Sequence, residues 1–180
     1  SRGLGDVYKR QDILPAKQQI QKLETRFKGF FIDWAQKGSA TGYEIEYSTN
    51  ADFKDSTVKK LTANKPDTLT ISGLTAGNKY YVRVRSYTNV GEKVYYGAWS
   101  DSKNVTAAKY DITKSAISGI STKTYTGKNI TQSVKVKYNG KTLKSGTDYT
   151  VSYSNNKKVG TATVKITGKG QYGGTVSKTF

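Results

Sequence analysis

Apolar side chains recur at every second position along this chain, in short runs separated by turn-forming residues. That period admits strands and little else. Phe30, Ile32 and Trp34 alternate with Phe31 and Asp33, and Tyr43, Ile45 and Tyr47 alternate with Glu44 and Glu46. Leu69 and Ile71 lead towards Leu74, and Tyr80, Val82 and Val84 stand opposite Tyr81, Arg83 and Arg85. Each set would line one face of a sheet. One early segment is ambiguous. In Ala16 to Phe27 the spacing of Ile20, Leu23 and Phe27 suits a helix, but Ile20 and Leu23 also fit a bent first strand, and the alternation downstream favours the strand.

The same pattern continues to the end of the chain. Ile117, Ile120 and Tyr125 come first, then Val134, Val136 and Tyr138 run into Asn139-Gly140, a dipeptide that sets both central φ angles of a two-residue hairpin turn. Tyr149, Val151 and Tyr153 form the next strand, Ser154-Asn155-Asn156 a turn, and Ala162, Val164 and Ile166 another strand before Gly168-Lys169-Gly170. The expected fold class is all-β, as two tandem β-sandwich domains of immunoglobulin-like type.

Length and charge set the division. A chain of 180 residues accommodates two small cores. Residues 1 to 108 hold 17 Lys and Arg against 11 Asp and Glu, a net of +6, whereas residues 109 to 180 hold 13 Lys against Asp111 and Asp148 alone, a net of +11. The imbalance places a boundary near Ala107-Ala108-Lys109 and predicts salt-sensitive attraction of the C-terminal segment to polyanions. All five arginines lie before that boundary, so the basic C-terminal segment lacks the guanidinium fork that reads bases, and no specific nucleic-acid partner is expected. Residues 1–11 join no downstream pattern, resemble a translated sequencing-adapter stretch and are set aside as a non-native leader. Domains are expected over 12–108 and 109–180. The chain stops at Thr179-Phe180 inside an alternating run, so the second domain is expected to be cut short and the gene product longer. The linker Thr106 to Tyr110 lacks Gly and Pro, which predicts restricted interdomain motion. No apolar run approaches the roughly 20 residues of a membrane span, and a monomer without membrane insertion is expected.

In Leu74-Thr75-Ala76-Gly77-Asn78-Lys79-Tyr80, Gly77 can adopt a positive φ. With Trp34 and the strand spacing, this segment resembles the fibronectin type III family over residues 15–108. The resemblance implies that Trp34 is the core tryptophan of the second strand, that Leu74, Gly77 and Tyr80 form the leucine-turn-glycine-tyrosine element, and that the Tyr80 hydroxyl bonds back to the loop backbone. Ala76 stands where the family often has proline, so the turn should be slightly less rigid. Residues 111–180 carry Tyr125-Thr126-Gly127-Lys128, Lys144-Ser145-Gly146-Thr147-Asp148-Tyr149, Tyr153-Ser154-Asn155-Asn156, Val159-Gly160-Thr161-Ala162 and Gly168-Lys169-Gly170-Gln171-Tyr172. These motifs resemble an immunoglobulin-like repeat of bacterial surface proteins. The two resemblances together imply an extracellular or cell-wall location in a bacterium and a stalk, presentation or adhesion role among neighbouring domains of a longer protein.

The available chemistry is narrow, because histidine and cysteine are absent. Without them, zinc sites, thiol nucleophiles and the usual serine-hydrolase base are missing, and no calcium loop occurs. No metal, cofactor or enzymatic activity is expected. Glu44 and Glu46 would lie roughly 6 to 7 Å apart by strand rise, a spacing used by paired catalytic carboxylates. Cross-strand pairing with Arg83 and Arg85 on an exposed face accounts for both more simply, at well under about 1 kcal/mol each. Gly168-Lys169-Gly170 lacks the spacing of a phosphate loop. Tyr95, Tyr96 and Trp99, after the Asn89 to Glu92 turn, are the candidate ligand contacts, since exposed aromatics stack on sugar rings. A plainer account has Tyr95 and Trp99 covering the open edge of the core and Tyr96 resting on Lys93. The expected function is a non-catalytic spacer and interaction module. The alternative is a module that binds carbohydrate or anionic cell-wall polymer, accessory to a glycan-active enzyme.

Overall fold

A computed structural model describes residues 14–35, 40–65 and 67–180, and the expected leader over 1–11 lies outside them. The chain divides into two compact units between Ala108 and Lys109.

The first unit contains strands β1 (Ile20–Arg26), β2 (Gly29–Trp34), β3 (Gly42–Ser48), β4 (Thr57–Leu61), β5 (Thr68–Ile71), β6 (Lys79–Val90), β7 (Lys93–Tyr96) and β8 (Lys103–Thr106). They form two antiparallel sheets. One has the order β1-β2-β5, and the other runs β4-β3-β6, with β7 pairing the C-terminal half of β6 and β8 its N-terminal half. The ambiguous early segment is therefore a strand, with a register shift between Ile20 and Lys22. Phe30, Ile32 and Trp34 from one sheet, and Tyr43, Ile45, Val82 and Val84 from the other, are fully enclosed in one core. Burying an aliphatic or aromatic side chain of this size contributes about 1.5–3 kcal/mol, so the alternating inward positions hold the two sheets together.

The segment expected as a linker belongs largely to the first unit. Thr106 ends β8, the Ala107 amide donates to the Asn78 carbonyl, and the Ala108 amide donates to the Arg26 carbonyl. Backbone donors seek partners wherever water is excluded, and both alanines find theirs in strand-like positions.

The second unit contains β9 (Tyr110–Asp111), a 3-10 turn at Ile112–Lys114, β10 (Ala116–Ser118), β11 (Lys135–Tyr138), β12 (Lys141–Thr142), β13 (Tyr149–Ser154), β14 (Thr163–Gly168), β15 (Tyr172–Gly173) and β16 (Thr175–Thr179). Two three-stranded antiparallel sheets, β10-β11-β12 and β13-β14-β16, are joined by a parallel ribbon of β9 and β15. Asn139 and Gly140 both take positive φ, 45° and 80°, and close the β11-β12 hairpin in the two-residue geometry their sequence favours. Ile112, Val136, Leu143, Tyr149, Val164, Ile166 and Tyr172 form its core. Asp111 caps the 3-10 turn by accepting from the Thr113 amide. No helix of the described residues is long and apolar enough to cross a membrane.

Candidate functional site

The candidate carboxylates sit where cross-strand pairing puts them. In the β3-β6 register Glu44 lies opposite Arg85 and Glu46 opposite Arg83. Arg85 donates through Nε and Nη2 to Glu44 Oε2 at 2.9 and 2.7 Å, and Arg83 donates through Nε to Glu46 Oε2 at 2.6 Å. The Ser56 hydroxyl donates to the other oxygen of Glu46, and Lys60 approaches Glu44 at 3.9 Å. The expectation of an exposed face is corrected here. Glu44 and Glu46 are only 6% and 7% exposed, because the guanidiniums above them are themselves covered by aromatic rings.

That cover is an alternating stack. The Arg83 guanidinium lies 4.0 Å from the Phe53 ring centroid and 4.7 Å from that of Trp99; the Arg85 guanidinium lies 4.3 Å from Trp99 and 4.0 Å from Tyr96. Lys60 continues the series, 5.9 Å from the Tyr96 centroid and 4.4 Å from that of Tyr87. Cations over ring faces gain from the ring quadrupole, more so when partly desolvated. The order Phe53, Arg83, Trp99, Arg85, Tyr96 therefore closes the outer face of the sheet above the two carboxylates.

The aromatic candidates separate. Tyr95 and Tyr96 lie on β7, and the preceding turn is only Gly91-Glu92, since β6 runs through Val90. Tyr96 pairs with Tyr87 and Tyr95 with Thr88, so successive side chains of β7 point to opposite faces. Tyr96 and Trp99 clamp Arg85 between them, while Tyr95, on the opposite face of the strand, is half-buried. Tyr96 rests on Arg85, Tyr87 and Lys60, where Lys93 was expected. Phe53 was missed in the sequence. It reaches Arg83 from a turn in which it holds a positive φ of 61°, a conformation no local pattern announces for phenylalanine.

The remaining singled-out residues are structural in placement. Trp34 is fully buried, with its ring 5.3 Å from Tyr43. Gly77 takes a φ of 86° and donates to the Ala107 carbonyl at 2.7 Å, Leu74 packs half-buried on the core, and the Tyr80 hydroxyl accepts from the Thr75 amide at 3.1 Å.

Elsewhere the titratable groups are tuned locally. Hydrogen bonds from Lys22 and then Arg26 hold the Glu24 carboxyl below its usual range, and those from Thr113 do the same for Asp111. Burial, followed by the nearby Asp148, Tyr110 and Tyr138, pushes the Tyr172 phenol up. Tyr110, Tyr138 and Tyr172 form a three-ring cluster with centroids 5.0 to 5.7 Å apart. Among the described residues no group of three or more potential ligands could hold a metal ion.

Residues 22–101, within the first unit, match the family model of the fibronectin type III domain, an immunoglobulin-like β-sandwich. No curated protein matches the chain in sequence. Among solved structures, one described as "Myokine structure" is similar at 11% identity with a TM-score of 0.44, covering 53% of this chain and 99% of that one.

Proposed function

We propose that the chain is a non-catalytic presentation and interaction module of a bacterial extracellular or cell-surface protein, in which a bacterial immunoglobulin-like repeat over 109–180 follows the fibronectin type III module. The observation that carries this reading is the fate of Glu44 and Glu46. They are the one carboxylate pair at catalytic spacing singled out in the sequence, and each is closed by an arginine and roofed by aromatic rings. A carboxylate that must accept a proton or attack a sugar needs an open approach, and these have none. The matched family supports a structural and interaction role. The test is turnover by the purified chain against panels of polysaccharides and peptides. None is expected above background, and turnover abolished by Glu44→Gln or Glu46→Gln overturns the reading.

A second reading, binding of carbohydrate or anionic wall polymer, is favoured by one observation. The second unit carries 13 lysines against two carboxylates, and both carboxylates are already engaged, Asp111 by Thr113 and Asp148 by the Lys144 amide. Retention on purified cell walls at low salt is the expected result, and failure to be retained at low or physiological salt ends this reading.

A further inference from the structure

Between β10 and β11 the second unit makes a long excursion without strand structure, residues 119–134. Its stem is clamped. The buried Gln132 side chain accepts from the Ser121 amide and donates to the Ser121 carbonyl at 3.2 and 2.8 Å, reproducing a strand-like pair of bonds with a side chain. The Tyr153 hydroxyl bonds both the amide and the carbonyl of Gln132 at 3.0 Å. A second loop, residues 155–161, is fastened to the first where Ile130 and Asn156 exchange two hydrogen bonds of 3.0 and 2.8 Å. Left-handed φ at Asn155 (57°) and Gly127 (79°) turns each loop.

The two loops form the walls of an open cleft of about 480 Å³. Lys123 and Lys158 stand on opposite walls, Tyr125 and Asn156 line it, and Ala162 and Phe180 contribute apolar surface. No Asp or Glu occurs in the chain between Asp111 and Asp148, and no acidic side chain lines the cleft. None of the ion pairs formed by described residues includes Lys123 or Lys158. The only charged side chains lining the cleft are therefore the two lysines, and a tyrosine ring that is 42% exposed stands on one wall.

From this we infer that the cleft is a binding site for a segment of acidic polysaccharide, with Lys123 and Lys158 meeting its anionic groups and the Tyr125 ring stacking on a sugar. The inference rests on the second reading above and assigns it a place. Charge complementarity requires an anionic occupant. Two features select a saccharide over an acidic peptide. Neither wall is a strand, so neither offers a ladder edge for an added β-strand, the commonest way an extended peptide gains main-chain bonds. Thr122, Thr124 and Asn156 line the cleft beside the exposed ring, a combination of short polar residues and an aromatic that suits sugar hydroxyls and ring faces. The clamps at Gln132 and Asn156 fix both walls before binding, which reduces the ordering cost of association.

The experiment measures binding of the full chain to polygalacturonate, neutral dextran and polyglutamate at low and physiological salt. The expected result is binding to polygalacturonate, none to dextran, and a loss of about tenfold in Lys123→Gln/Lys158→Gln. Lys141→Gln/Lys165→Gln removes the same charge from strand positions outside the cleft and should change little. Tyr125→Ser, which alters no charge, should weaken polygalacturonate binding several-fold. Equal losses in the two lysine pairs overturn the cleft while leaving general attraction to wall polymer standing. Polyglutamate bound as well as polygalacturonate, with Tyr125→Ser silent, makes an acidic peptide the occupant and overturns the saccharide. No binding to polygalacturonate in a chain that cell walls retain overturns the inference alone, and loss of both removes the second reading with it.

Discussion

Arg85 is held from three directions, by the Glu44 carboxylate beneath it and by the Tyr96 and Trp99 rings on either side. An ion pair on an open surface contributes little because water screens it and the side chains must be ordered. Here the carboxylate is almost sealed, so removing its partner strands a charge rather than releasing one. Arg85→Leu should cost about 2–4 kcal/mol in urea unfolding of the first unit, near the range for a broken buried pair. Glu44→Leu/Arg85→Leu should recover most of that loss, and a double variant as unstable as the single one would show that the pair was never sealed. The pairing itself was legible in the sequence, since Glu44 and Glu46 at i and i+2 must face an equally spaced pair on the neighbouring strand. Its burial was not legible, because the cover arrives from Phe53, Tyr96 and Trp99, which come from separate stretches of the chain.

Side-chain period identified β2, β3, β5, β6, β11, β13 and β14, but Ile120, Tyr125 and Val134, read in the same pattern, lie outside any strand. Strand pairing followed from turn chemistry where the turn was short. Asn139-Gly140 announces β11 and β12 because the backbone of those two residues decides the hairpin with no help from elsewhere. The parallel ribbon of Tyr110–Asp111 and Tyr172–Gly173 had no such signal, being two short segments brought together from far apart in the chain. Glycine roles divide the same way. At Gly140 a Cβ would meet nothing within 4 Å, and only its φ of 80° resists substitution. At Gly29 a Cβ would lie 2.0 Å from the Ile71 carbonyl oxygen, in the β2-β5 pairing. Gly140→Ala should therefore cost about 1–2 kcal/mol, the penalty of a left-handed alanine. Gly29→Ala must push β2 and β5 apart and should cost about 3 kcal/mol or more. Chemical denaturation of the two variants checks the order, and equal losses would show that β5 yields freely.

Each of the two hydrophobic clusters draws on residues of one unit only, the first around Trp34 and Tyr43, the second around Ile112 and Ile166. That division has a convenient optical consequence, because the chain has two tryptophans and both, Trp34 and Trp99, lie before Ala108. Tryptophan emission therefore follows the first unit, while far-ultraviolet dichroism follows both. Leu143 is 3% exposed in the second core, and its truncation to alanine leaves a cavity that costs about 2–5 kcal/mol. For a domain of this size each kcal/mol lowers the melting temperature by about 4–8 °C. Leu143→Ala should thus move a dichroism transition down by about 10 °C or more and leave the tryptophan transition where it was. Separate cores predict this because cooperativity extends only as far as shared packing. A tryptophan transition that follows the dichroism downward would mean that both units melt as one cooperative body, and the charge imbalance that marks their boundary in the sequence would then mark no boundary in stability.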